Sequence, residues 1–77
     1  MKYRTEIIEV LESMGIYVNQ EEVPINLQEY IVDSIEFITF IVNLEEKLNF
    51  TFPDEYLVYE SIATIDLLCE IIEKAKQ

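Results

Sequence analysis

The sequence predicts an all-α fold: a small four-helix bundle with three longer helices and one short third helix. Three observations carry this reading. One Gly and two Pro in 77 residues leave few obligatory turns. Apolar residues recur at helical spacing in three separate segments. A hydrophobic fraction of 51% suits an ordered globule better than a disordered acidic tail. The length predicts a single domain over residues 1–77. So short a chain buries only about 60–65% of its unfolded surface, so its core must be efficient. Five Tyr and four Phe supply bulk without Trp.

The first helix is expected from about Lys2 to Met14. Ile7, Val10, Leu11 and Met14 form one stripe, and Glu6, Glu9 and Glu12 line another face. Gly15, the only glycine, stands where a helix C-cap favours one. From Ile16 to Asp33 the periodicity breaks, with Asn19, Pro24 and Asn26 as loop signals. A connection of that length without structure is unusual in a compact domain. Leu27, Tyr30 and Ile31 recur at helical spacing, so they are expected to form a short turn or to pin the loop.

The second helix is expected from Ser34 to Leu48. Asp33 can cap it, and Glu36 completes a capping-box-like pair in which Asp replaces the usual Ser or Thr. Ile35, Ile38, Ile41, Val42, Leu44 and Leu48 are assigned to its apolar face. The β-branched and aromatic run from Phe37 to Val42 could pass for a strand, but its length, the cap and the continuation "NLEEKL" decide for helix. In "NFTFPDEYL" the chain turns at Pro53, and Asp54 can cap a short third helix reaching about Tyr59. The last helix is expected to start near Thr64 and to carry Ile65, Leu68, Cys69 and Ile72 inward. Glu70 and Lys74 stand at i,i+4 near its end.

Charge narrows the function. Sixteen acids against five bases give a formal net charge of −11. Lys2 and Arg4 open the chain, Lys74 and Lys76 close it, and Lys47 lies between, with no base from Thr5 to Glu46. Such a surface repels a nucleic-acid backbone and an anionic membrane. Basic protein partners, met by electrostatic steering, are expected instead. Solubility alone is the plainer reading of the same acidity. A single cysteine, Cys69, forms no intramolecular disulfide and fits a reducing cytoplasm. The opening "MKYRTEIIEV" has acids where a signal peptide needs an apolar core, and no apolar run approaches a membrane span. A soluble cytoplasmic protein is expected. No exposed apolar stripe for a second copy is evident, so a monomer is expected as well.

Most catalytic chemistry lacks its residues. Without His, the usual general base and most nucleophilic triads and zinc sites are missing. One Gly cannot build a phosphate-binding loop, and no EF-hand pattern is present. Glu45 and Glu46 read as a solvated helix face rather than a glycosidase pair. Cys69, at an apolar helical position, reads as core rather than as a reactive thiol. The chain is expected to be non-catalytic and to bind no metal of its own.

What remains is "VDSIEF", which places a serine at the start of an apolar helix. Capping is the plain explanation for Ser34, but Asp33 is already available for that task. The wider stretch "DSIEFITFIVNLEEKLNFTFPDEYLVYESIATIDLLCEII" resembles an acyl carrier protein, the phosphopantetheine-bearing domain of fatty-acid, polyketide and nonribosomal peptide synthesis. "DSIE" resembles the D-S-L modification motif of that family. "LEEKLNFTFPDE", Leu44 to Glu55, resembles its second-helix end and I-P-D-E turn, and "IATIDLLCEII", Ile62 to Ile72, the T-V-x-D opening of its last helix. These motifs cover about the C-terminal three-fifths; Met1 to Val32 fits by pattern only.

The resemblance implies that Ser34 accepts 4'-phosphopantetheine from coenzyme A through a phosphopantetheinyl transferase, with Asp33 helping the transferase and its metal ion engage. The arm then holds acyl or aminoacyl groups as thioesters, loaded and used by a ligase and synthase enzymes. Glu36, Thr39, Glu45, Glu46, Asp54 and Glu55 are the partner-recognition candidates. Ile35 stands where the family most often has Leu, Thr39 where fatty-acid carriers often have an acid, and Val42 where Met is frequent. Phe37 and Phe40 add bulk. These departures point to a carrier dedicated to a specialised lipid, polyketide or nonribosomal peptide pathway. The competing reading is an unmodified acidic helical adaptor that acts by protein binding alone.

Overall fold

The computed structural model describes residues 3–56 and 62–76. Three α-helices occur among them: α1 (Arg4–Ser13), α2 (Ser34–Leu48) and α3 (Ile65–Ala75), with single 3-10 turns at Leu27–Glu29 and Asp54–Tyr56. Helix α1 packs against both α2 and α3.

Helix α1 buries Ile7, Val10 and Leu11 as their spacing predicts, and Ile8 joins them. Gly15 ends it. The Gly15 N–H donates to the Glu12 carbonyl at 3.0 Å and the Ile16 N–H to the Leu11 carbonyl at 2.9 Å. This closure needs a left-handed residue, and Gly15 has φ +82°.

The long first loop is tied down at several points. Leu27 and Ile31 are buried, as is Ile25, which its spacing did not single out. The Leu27 N–H donates to the Ala63 carbonyl at 2.8 Å and the Ile65 N–H to the Ile25 carbonyl at 3.2 Å, fastening the loop to the start of α3. The Tyr30 hydroxyl donates to Glu22 and accepts the Asn19 N–H at 3.1 Å. That bond to Glu22 holds the Tyr30 hydroxyl above the ordinary tyrosine range.

Helix α2 has the predicted limits but a different inward face. Ile41 and Leu44 are buried and Leu48 packs against the core, yet Ile35, Ile38 and Val42 are 81%, 43% and 44% exposed. Phe37 and Phe40 occupy the interior in their stead. Between residues 35 and 42 only Glu36 and Thr39 are polar, so two apolar stripes overlap and periodicity cannot rank them. The stripe with two aromatic rings and Leu44 removes more apolar area from water, and it wins. The expectation of no exposed apolar stripe is thereby overturned.

Asn49 leaves α2 in the left-handed conformation, φ 55°, which Asn tolerates better than most side chains. Phe52, next to Pro53, is buried, and its ring lies 4.9 Å from that of Phe50. Where a short third helix was expected, the described residues hold the single turn Asp54–Tyr56, closed by the Tyr56 N–H on the Pro53 carbonyl at 3.0 Å. The remainder of that expected helix, to about Tyr59, lies outside the described residues.

Helix α3 starts on Thr64, whose hydroxyl accepts the Leu67 N–H at 3.1 Å. Ile65, Leu68, Cys69 and Ile72 point inward as predicted, with Ile71 beside them. Burial pushes the Cys69 thiol above its ordinary value, as expected of a core cysteine. Lys47 pairs with Glu9 at 3.5 Å across the α1–α2 contact; no ion pair joins Glu70 to Lys74. Lys76 donates to the Leu48 carbonyl at 2.6 Å, placing a cation at the C-terminal end of α2.

Candidate functional site

The residues around Ser34 are held from both sides. Ile31 and Phe37 are buried, so the segment between them is anchored at each end. Asp33 has extended backbone, φ −139° and ψ 162°, and its carboxylate accepts the Glu36 N–H at 2.7 Å. The Phe37 N–H donates to the Asp33 carbonyl at 3.1 Å, the first bond of the helix. The Glu36 carboxylate reaches back to the Val32 N–H at 3.4 Å rather than to that of Asp33, a capping box displaced by one residue.

Ser34 is therefore the first residue of α2, exposed to solvent, and it is not the cap. No hydrogen bond among the described residues uses its hydroxyl, and the N–H groups of Ser34 and Ile35 take no acceptor there. A phosphate ester on this hydroxyl would sit beside free N–H donors and the positive end of a 15-residue helix. The chemistry of the position fits a phosphodiester.

The other predicted site residues separate into groups. Asp33, Ser34 and Glu36 share one helical turn. Thr39 is exposed one turn further, its hydroxyl donating to the Ile35 carbonyl at 3.0 Å, and Glu46 is exposed two turns beyond on the same face. Glu45 departs from them. It is half-buried, and its carboxylate accepts the Phe52 N–H at 2.7 Å, tying the segment after α2 to the helix. Asp54 and Glu55 are exposed in the 3-10 turn, and Glu55 lines a groove of about 400 Å³ with Leu67, Ile71 and Lys74 of α3.

The acid-based reading missed the exposed apolar side chains of α2. Beside Ser34, a shallow groove of about 420 Å³ is lined by Met14, Asp33, Ile35, Glu36 and Thr39. A helical projection anchored on Phe37, Phe40 and Leu44 would have placed Ile35 and Val42 outward. Among the described residues no His, Cys, Asp or Glu cluster is placed to hold a metal ion, and no helix is long and apolar enough to cross a membrane.

Comparison with known families matches residues 6–72 to the phosphopantetheine attachment site. Neither the curated proteins nor the solved structures returned a match. The family match begins at residue 6 and so takes in most of α1 and the first loop, which the quoted motifs do not cover. Domains of this family bear 4'-phosphopantetheine covalently and serve as carriers, working with phosphopantetheinyl transferases and synthases, and are not themselves catalysts. The chain belongs to the phosphopantetheine attachment-site family, within which its acyl-carrier-like motifs fall.

Proposed function

We propose that Ser34 is the attachment residue and that the chain, acting as one domain over residues 1–77, tethers acyl or aminoacyl intermediates as thioesters. The observation that carries this is the division of labour at the start of α2. Asp33 caps the helix, and the Ser34 hydroxyl is left exposed and unbonded on an anchored segment. When bound, the arm supplies a thiol that holds cargo as a thioester. The protein supplies a fixed hydroxyl, free N–H donors for the phosphate, and a carboxylate, Asp33, at the place where a transferase and its metal ion engage.

Loading joins the Ser34 oxygen to the phosphorus next to pantetheine in coenzyme A. The phosphoanhydride bond breaks, the adenosine bisphosphate half leaves, and the serine proton goes to the transferase's base. Asp33, Glu36, Thr39, Glu46, Asp54 and Glu55 are the proposed contacts for partner enzymes. Glu45 is set apart because its carboxylate already holds Phe52. Thr39 and Val42, at positions where fatty-acid carriers often have an acid and Met, support a dedicated pathway with its own ligase. A monomer in the cytoplasm fits the single buried thiol and the net charge of −11.

Intact mass decides the matter. After incubation with coenzyme A, magnesium and a broad-specificity phosphopantetheinyl transferase, the wild type is expected to gain one phosphopantetheine and Ser34→Ala none. No gain in either folded protein would leave Ser34 as part of the helix start and return the chain to the adaptor reading.

A further inference from the structure

The first loop carries a tyrosine clamp on the chain that leads into Ser34, and the carrier reading leaves it unused. The turn at residues 19–22 closes on itself: the Glu22 N–H donates to the Asn19 carbonyl at 3.2 Å, and the Glu21 N–H to the Asn19 side-chain oxygen at 3.0 Å. It is then held from two directions. Arg4, the first residue of α1, donates to the Gln20 carbonyl at 3.1 Å. The Tyr30 hydroxyl donates to the Glu22 carboxylate and accepts the Asn19 N–H at 3.1 Å. Tyr30 thus joins this turn, and through it α1, to the chain that runs into α2.

Beyond Tyr30 the fixed points are few. The Tyr30 and Ile31 N–H groups both donate to the Leu27 carbonyl, at 3.1 and 2.8 Å, and the Ile31 side chain is buried. A single buried side chain fixes one point, about which the backbone can still pivot. The bonded Tyr30 hydroxyl fixes a second, and two points set the direction in which the chain leaves. Val32 is 73% exposed, and its N–H lies 3.4 Å from the Glu36 carboxylate, longer than the usual range. Asp33 stays on the cap only while its backbone keeps the extended path that arrives from Tyr30. Ser34 belongs to the turn that this cap closes, and first turns are where helices fray. The Tyr30 ring packs against the core, a task that Phe performs as well, so the hydroxyl serves the clamp.

We propose that Tyr30 is a positioning residue for the loading of Ser34: its hydroxyl, held by Glu22 and Asn19, keeps Asp33 on the cap and Ser34 in a formed first turn of α2. The proposal rests on the carrier reading. Tyr30 carries none of the reacting atoms; it sets the fraction of molecules in which the turn is formed. A transferase that binds the formed turn alone meets a weaker apparent affinity when that fraction falls, so KM rises while kcat holds.

The test follows loading by intact mass, over a range of carrier concentrations, with coenzyme A and the broad-specificity transferase. Tyr30→Phe keeps the ring and removes the clamp, as Glu22→Ala does from the other side. Each is expected to raise KM about fivefold, with kcat within about twofold of wild type. Glu22→Gln keeps an oxygen for the hydroxyl and is expected to stay within about twofold of wild type. Tyr30→Phe/Glu22→Ala is expected to raise KM no further than either change alone, since both remove the same bond. Ile72→Val, a buried change in α3, lowers stability away from the serine and is expected to leave KM unchanged. Hydrogen exchange gives a readout apart from loading: the Glu36 and Phe37 N–H groups, both bonded to Asp33, are expected to exchange about fivefold faster in Tyr30→Phe.

Urea unfolding checks that each variant is folded, and Glu22→Ala carries the test if Tyr30→Phe is not. An unchanged KM in a folded clamp variant, beside a wild type that loads, overturns this proposal and leaves the carrier reading standing. An equal rise in Ile72→Val overturns it too, because lost stability alone then explains the effect. A wild type that never loads overturns both.

Discussion

Asp33 and Glu36 exchange backbone partners across the first turn of α2: the Asp33 carboxylate accepts the Glu36 N–H at 2.7 Å, and the Glu36 carboxylate accepts the Val32 N–H at 3.4 Å. The helix start is thus complete without Ser34. Asp33→Ala is expected to lower stability by about 1 kcal/mol, the usual cost of losing a cap. Ser34→Ala is expected to change it by less than about 0.5 kcal/mol while abolishing loading. Urea unfolding of the two variants checks this. Equal losses would show that the serine supports the helix as much as the aspartate does.

Glu45 and Glu46 are neighbours with different expected outcomes. The Glu45 carboxylate holds the Phe52 N–H at 2.7 Å from a half-buried position, and Glu46 faces solvent. Glu45→Ala is expected to cost about 1–2 kcal/mol, because a backbone donor loses a charged acceptor. Glu46→Ala is expected to stay within about 0.5 kcal/mol. Thermal melts of the two variants separate the roles.

Gly15→Ala isolates a backbone effect. An added Cβ at Gly15 meets nothing within 4 Å, so φ +82° alone decides. The substitution is expected to destabilise by about 1 kcal/mol, the strain of a left-handed alanine. A neutral result in chemical denaturation would mean that the turn shifts to relieve it.

Cys69 gives stability a pH dependence with a definite sign. Burial raises its thiol pKa in the folded chain. Between the unfolded value, about 8.5, and the raised folded value, the unfolded chain alone loses the proton. Stability is therefore full below about pH 8.5 and falls as pH rises beyond it. Urea midpoints at neutral and alkaline pH are expected to show a loss in the wild type that is smaller in Cys69→Ala. Iodoacetamide is expected to modify the native thiol only as fast as the protein opens.

The net charge of −11 predicts a response to salt. Self-repulsion among the acids weakens with screening, whereas the Glu9–Lys47 pair, both partners partly exposed, loses little. Added sodium chloride is expected to raise Tm by a few degrees, and magnesium to do so at lower concentration. A Tm that ignores both would show that the acids are spaced too widely to repel.

Much of this could be read before any coordinates. Asp33 as a cap, Gly15 as a stop, the limits of α2 and the inward side chains of α3 depend on local rules: which side chain can accept a nearby N–H, which residue tolerates positive φ, and which positions recur every turn. Ser34 stood out for the same reason, since a second capping residue beside Asp33 had no local need.

What the sequence determined by itself was therefore the helical class, the helix starts and the serine at the head of α2. The tertiary structure decided which apolar stripe of α2 turns inward, because Phe37 and Phe40 fill the interior and leave Ile35, Ile38 and Val42 in water. It also decided that Glu45 holds the chain after α2 while Glu46 does not, and that Leu27 pairs with Ala63 and Ile25 with Ile65. Those outcomes depend on contacts between residues distant in the chain, where burial of area and geometry of approach, not spacing along one helix, choose among side chains of the same type.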